Sequence, residues 1–403
     1  MNLKKTILTT AKLLLILTAT GIGYLNYSLY YQPRFQSYNA DVYHQLKFLQ
    51  AQLDDGAGDR MQNIYPEGFI FINCLYGLSW CEMIANLGES SGIYQEGLGE
   101  VSRAYREVSS PKAKLGFSNS VSPPYGVFYT GWTNYLLGRK LLATPPHSRT
   151  EEEVQVFKAH CLQISKALAE SESPFLESYH GMAWPADMVI AISSLALHDR
   201  LFPPLFQSEL QGWTTKVKGL LDPATGLIPH AVAPKSGATL EGARGSSQSL
   251  MLCFLKDIDE DFARQQFQLY TEYFLEKRFG LPGISEYPEG QSGRGDIDSG
   301  PVLLGIGGAA SIAGQRAMGI NGRWDAYEAL RNSIQGFGLG LTLHAKKRYL
   351  FGKLPIADAF IAWSNSIENR EGIARTDARW RTPFQLLSLA IVLMIGFLLL
   401  KLK

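Results

Sequence analysis

Residues 179–197 read YHGMAWPADMVIAISSLAL, a polar and aromatic loop that runs through Pro185 into a stretch apolar around most of its circumference. A helix with no polar face is buried on all sides. The same sequence of events, a loop rich in Gly, Tyr and Pro followed by an apolar helix and then a more charged one, recurs along the chain. The apolar helices are expected to begin near Phe69, Val127, Asp187, Ser247, Ser299 and Ala357, a repeat of roughly 50–60 residues.

The intervening segments carry helical periodicity of another kind. In Val154–Ala169 the apolar residues Val154, Phe157, Cys161, Ile164 and Leu168 recur at three- and four-residue steps, as on an outer amphipathic helix, and Phe262–Phe279 reads the same way. Pro301–Ala313 (PVLLGIGGAASIA) reads as an inner helix that opens at Asp298-Ser299-Gly300-Pro301. Gly319–Gly322 and Phe202–Pro204 stop and restart helices. All-round apolar helices alternating with amphipathic ones predict an all-α fold, an (α/α)6 toroid of six helical hairpins with little strand. In such a ring the loops that open the inner helices converge on one mouth. Gly305-Ile306-Gly307-Gly308-Ala309-Ala310 also matches a loose dinucleotide fingerprint, but that motif needs parallel strands on both sides of its helix, and none is expected here.

Two apolar segments bracket this block, giving an expected anchor in 1–35, a ring in 36–370, and a linker with a second anchor in 371–403. Leu13–Tyr31 follows Lys4, Lys5 and Lys12 and ends in tyrosines suited to a membrane interface. Phe384–Leu400 contains no charge. Two spans put both termini on one side of a bilayer. The N-terminal lysines argue for the cytoplasm and the arginines at 375, 379 and 381 for the reverse. The first helix usually dominates, so an integral protein of the inner or plasma membrane is expected, with its large domain outside the cytoplasm. A net charge of +1 carries no nucleic-acid footprint. Cys74, Cys81, Cys161 and Cys253 follow neither a disulfide framework nor a metal spacing and suit the core. No cofactor or metal is called for.

The candidate site residues lie in the loops before the inner helices. Tyr125, Trp132, Tyr179 and Trp184 would offer ring faces to sugars, with Glu241, Arg244 and Arg294 binding hydroxyls or an acidic group. Asp187 with Asp296 or Asp298 would supply an acid and a base or nucleophile, and His180 a proton-transfer group. Each has a structural alternative. The aspartates stand where helix starts recruit acids, Glu241 and Arg244 could serve only each other, and His180 could be an ordinary loop residue.

With this repeat and these loops, the chain resembles the six-hairpin glycosidase-like superfamily over roughly residues 40–366. That resemblance implies saccharide binding at the mouth and a pair of carboxylates. Through Tyr179-His180-Gly181 and Ala183-Trp184-Pro185-Ala186-Asp187 it is also similar to the linalool dehydratase/isomerase-like family, although it lacks a cysteine there. The leading expectation is a membrane-anchored envelope enzyme acting on a saccharide or glycoconjugate. The alternatives are a lyase or isomerase acting on a small lipophilic alcohol, and a non-catalytic toroid that binds without turnover.

Overall fold

The computed structural model describes residues 3–293, 295, 299–367 and 378–402, and they are predominantly helical. Helix α1 (Leu3–Ser28) precedes α2 (Ala40–Asp54), α3 (Ala57–Gln62), α4 (Gly68–Ile84) and α5 (Gly92–Ser109). Then come α6 (Gly126–Ala143), α7 (Glu151–Ala169), α8 (Pro185–Leu201), α9 (Gln207–Lys218), α10 (Gly245–Met251), α11 (Leu255–Ile258) and α12 (Glu260–Phe274). The last four are α13 (Gly308–Ile320), α14 (Trp324–Phe337), α15 (Pro355–Asn365) and α16 (Thr382–Lys401).

Local chemistry sets several of these starts. Asn39 accepts from the Asp41 and Val42 amides at the head of α2, Thr150 from the Glu153 amide at α7, and Asp259 from the Phe262 amide at α12. Proline stands in the first turn of α8 and α15.

The loop-opened helices touch one another in cyclic order. Helix α4 packs on α6, α6 on α8, α8 on α10, α10 on α13, α13 on α15, and α15 again on α4. The more amphipathic helices flank them, α5 against α4, α7 against α6, and α14 against α13. Close approach is built in at Gly131 of α6, where a Cβ would stand 3.1 Å from the Ala191 amide of α8.

Aromatic side chains fill the space between the inner helices. Phe71 of α4 lies 5.2 Å from Trp132, 5.2 Å from Phe128 and 5.4 Å from Phe360. Phe254 stacks on Trp363 at 5.7 Å and meets Trp132 at 6.1 Å. Toward the C-terminal ends of the same helices an ionic set replaces the rings. Glu82 of α4 accepts from Arg139 of α6 at 3.1 Å and from Arg316 of α13 at 2.8 Å. Arg316 in turn lies over the Trp363 ring at 4.3 Å.

Among the described residues strand is confined to short antiparallel hairpins, and these revise two expectations. The helix read through Phe279 ends at Phe274, and its last residues become β3 (Leu275–Arg278), paired with β4 (Leu281–Ile284). The helix read from Ser299 begins nine residues later, at Gly308; Pro301 opens a hairpin of β5 (Val302–Leu303) and β6 (Ile306–Gly307) instead. A continuous apolar run fits a strand or a buried helix equally well, and here Leu304 and Gly305, both at positive φ, turn the chain. A strand therefore does precede the GIGGAA segment, but it pairs antiparallel in its own hairpin, which is not a dinucleotide-binding βαβ unit. The remaining hairpins are β1 (Ala231–Val232) with β2 (Thr239–Glu241), and β7 (Leu341–Leu343) with β8 (Lys346–Arg348).

Among the described residues, two helices are long and apolar enough to cross a membrane, over Thr6–Ser28 and Arg379–Lys401. They pack on each other, and α1 also packs on α14.

Burial alone would raise the Glu82 carboxyl, but Arg139 and Arg316 outweigh it and hold the group at about 2. A depressed carboxylate stabilises the fold above its unfolded value near 4.5, and that contribution is lost as pH falls toward about 2. Glu82 keeps about a fifth of its side chain exposed, so Glu82→Gln, which leaves two guanidiniums without their carboxylate, should cost about 1–3 kcal/mol in chemical denaturation at neutral pH. It should also flatten the acid limb of the stability profile. An unchanged acid limb would show that the pair does not hold the ring.

Candidate functional site

The third entry loop organises the first part of the site. It docks on the start of α6, where the Val127 amide donates to the Glu177 carbonyl at 2.9 Å. Gly126 has φ of 81°, and a Cβ there would overlap the Ser178 carbonyl, so only glycine suits the position. The loop then turns at Gly181, and Ser178 and Tyr179 face different carboxylates. The Ser178 hydroxyl donates to Asp187 at 2.6 Å, and the Tyr179 hydroxyl donates to Glu67 of the first loop. Asp187 stands in the first turn of α8, where the N-terminal amides favour negative charge. Tyr179 stacks on Phe117 at 5.7 Å and meets Trp184 edge-on at 5.8 Å.

The fourth and fifth loops build the second part. The Gly245 amide donates to the Glu286 carbonyl at 2.9 Å, and a Cβ on Gly245 would overlap the Ser285 carbonyl oxygen. This contact carries Glu286 to the head of α10. There its carboxylate, fully buried, accepts from Arg244 Nε at 2.9 Å and from the Ser246 hydroxyl at 2.7 Å. Arg244 also reaches Glu241 at 3.3 Å and His230 Nε2 at 3.3 Å, while His230 Nδ1 meets the Ser247 hydroxyl at 3.0 Å. The Arg244 guanidinium lies 5.4 Å from the Tyr287 ring centre. Beyond Tyr287 opens a cleft of about 730 Å³ lined by Glu272, Glu276, Lys277, Arg278 and Glu289. A backbone bridge between Ala183 and Val232 joins the third loop to the fourth.

The expected residues therefore separate. Asp187, Tyr179 and Trp184 share the third loop and the head of α8, while Glu241 and Arg244 belong to the second cluster. Tyr125 stands next to the first group, 5.6 Å from Tyr129, with the Lys114 ammonium over its face. His180 is exposed at the loop turn. Trp132 is a correction: it has no exposed surface and packs among Phe71 and Phe254, so it serves the core and offers no ring to a ligand. Arg294, Asp296 and Asp298 lie outside the described residues. Glu67, His230, Ser246 and Glu286 were not singled out by role. Glu286 is the most deeply placed, and its partner is 42 residues away in sequence.

At the sixth loop Asp358, on the first turn of α15, accepts from the Tyr349 amide at 2.7 Å. Burial pushes its carboxyl up to about 8, against the Tyr349 N–H and Arg348, which pull it down. The group is thus largely protonated at neutral pH.

No protein-family model matches the chain, and no curated protein matches it.

Two measurements bear on this architecture. Gly245→Ala should cost about 1–3 kcal/mol by forcing the fourth and fifth loops apart; a stability equal to the parent would mean that their contact is not maintained. Asp358 gives a pH signature. A raised aspartate stabilises below its ordinary value of 3.8, and that stabilisation is lost as pH climbs toward about 8. Asp358→Asn keeps the acceptor for Tyr349 but cannot ionise, so melting temperature should fall less across this range than in the parent.

Proposed function

We propose that the chain is a membrane-anchored enzyme of the cell envelope, built on an (α/α)6 toroid and acting on a saccharide or glycoconjugate. The toroid reading rests on the cyclic contacts of α4, α6, α8, α10, α13 and α15. The observation that carries the chemical reading is the arrangement of two carboxylates from different loops. Successive residues Ser178 and Tyr179 donate to Asp187 and to Glu67. In glycosyl transfer to water one carboxylic acid protonates the leaving oxygen while the other activates water or attacks the anomeric carbon. Asp187 is one member of this pair, and Glu67 joins Asp296 and Asp298 as a candidate for the other. Tyr125, Tyr179 and Trp184 supply ring faces, and Glu241, Arg244, Arg294 and His230 supply groups for hydroxyls.

Binding without turnover is the second reading, favoured by the aromatic filling of the ring axis. The lyase or isomerase reading draws less from the geometry, since the His180 it would use for proton transfer is exposed at a turn. For topology, the lysines before α1 favour cytoplasmic termini and a domain on the outer side.

The test is hydrolysis of a panel of glycosides and lipid-linked oligosaccharides by the full chain in vesicles. Asp187→Asn should lower turnover by about 100-fold or more with the melting temperature nearly unchanged. A loss of about 1 kcal/mol in stability with activity intact would make Asp187 a helix-start residue only. Saccharide binding by the parent with no product would favour the second reading. A reporter active only in the cytoplasm, fused after Lys403, should be active. An inactive fusion that still inserts would place the domain inside.

A further inference from the structure

The direction in which the terminal helices leave the domain follows from what they touch. Leu25 and Ser28 of α1 lie against Gly336, at the C-terminal end of α14, whereas the next residues of the chain meet α14 progressively nearer its start. The Leu29 carbonyl accepts from Asn332, the Tyr31 carbonyl from Arg331, and Gln32 donates to Glu328. Traced backwards from Ser28, α1 therefore departs past the C-terminal end of α14. Helix α16 leaves the same way: Arg381 meets Glu328, and Phe384, three residues on, packs with Leu29. That end of α14 opens the loop into α15, and it is thus the end at which the inner helices begin.

The same end carries nearly all the exposed large apolar side chains outside α1 and α16. Every entry loop contributes, with Ile64, Leu115, Met182, Leu240, Leu304 and Phe351 standing 45–81% exposed. Among the described residues, the short links at the opposite end expose only Leu205 in this class. The backbone adds an independent sign. Phe279, Leu304, Leu350 and Phe351 all have positive φ at tips and turns of these loops. Turns of that kind favour Gly, Asn or Asp, and a bulky residue there is strained. A loop shaped for water would have a polar residue at such a tip. Exposed Lys277, Lys346 and Lys353 stand beside these apolar residues, an arrangement that places ammonium groups at phosphate level above buried side chains.

We infer that this rim is a membrane-docking surface: the entry loops rest in the interface of the bilayer that α1 and α16 enter, so the mouth faces lipid headgroups. The occupant is the bilayer because the anchors converge on the rim and the exposed loop tips there are apolar. A site behind such a rim is fed from the membrane. It takes a molecule whose polar part lies among the headgroups and whose tail stays in the bilayer. That substrate class rests on the saccharide reading above, whereas the docking itself is tested without turnover.

The four native cysteines at 74, 81, 161 and 253 are buried, so a single surface cysteine can be labelled selectively in the full chain. Leu304→Cys, Phe351→Cys and, as reference, Leu205→Cys would carry a fluorophore in vesicles of phosphatidylcholine and phosphatidylglycerol. Leu393→Cys on α16 would report the anchor. The rim labels should be quenched by nitroxide-bearing lipids and lose most of their quenching by aqueous iodide, with the reverse at 205. Rim labels that behave like 205 while 393 is quenched by lipid would overturn the docking and leave the anchor standing. Protection from both quenchers would mean that protein, such as a second copy, covers the rim, which also overturns it. Absence of lipid quenching at 393 would sink the anchor reading and the docking with it.

Discussion

The carboxylate of Glu82, held between the guanidiniums of Arg139 and Arg316, ties together three of the helices that touch in cyclic order. These groups belong to α4, α6 and α13, which are not all neighbours in the cyclic order, so the set ties across the interior as well as along it. Its energetic logic is asymmetric. Replacing a buried ion pair by well-packed apolar groups can be neutral, but removing one partner leaves uncompensated charge in a poorly hydrated place. Arg316 strengthens the knot by covering Trp363, which in turn stacks on Phe254. With the C-terminal ends of α4, α6 and α13 tied and aromatic side chains packed between the helices, their N-terminal ends can carry long, varied loops without loosening that packing. The polar clusters are found at that end.

A second buried network connects the anchors to this ring. Glu328 of α14 accepts from Arg381 at 2.8 Å and from Gln32 at 3.1 Å, joining the chain after α1 to the chain before α16. Nearby, Lys347 of β8 reaches Asp41 at 2.6 Å and the Tyr31 hydroxyl at 2.8 Å. Burial lowers the Lys347 ammonium, and Asp41 opposes that shift. Both terminal helices are therefore held against one side of the domain by buried charge, and their position relative to the entry loops follows from these contacts. A rigid seat of this kind gives the mouth a defined orientation to whatever the two helices enter.

Much of the helical pattern was legible because burial on all sides leaves a clear sequence mark. The starts of α4, α6, α8, α10 and α15 fall within two residues of expectation. The fifth start failed for an identifiable reason. An apolar run such as PVLLGIG has no period that separates strand from helix, and the turn within it uses Leu304 at a position usually given to Asn or Gly. Trp132 misled through depth: it lies only two turns into α6, yet the ring is already closed by aromatics at that level. The tetrapeptide Tyr-Pro-Glu-Gly occurs twice, at 65–68 and 287–290. In the first case its glycine opens α4; in the second Gly290, with φ of 82°, belongs to a loop. Identical residues thus serve different purposes because the contacts that decide between them are distant in sequence. The Arg244–Glu286 pair was hidden for the same reason, since only the docking of Gly245 on the fifth loop brings the two together.

The entry loops meet two requirements at once. Toward the helix starts they gather Glu67, Asp187, Glu286 and Arg244, each with a side-chain hydrogen-bond partner from the entry loops. Toward the outside they display apolar side chains on strained turns. For a mouth in water these features conflict, because each exposed tip adds solvation cost to backbone strain and contributes nothing to the polar clusters behind it. Against an apolar surface the conflict disappears. The tips are buried there, the strain is offset by their transfer out of water, and the polar groups one layer deeper meet the headgroup region. The chemistry of the loops and the direction of the anchors are then consequences of the one placement proposed here, with the entry loops toward the membrane.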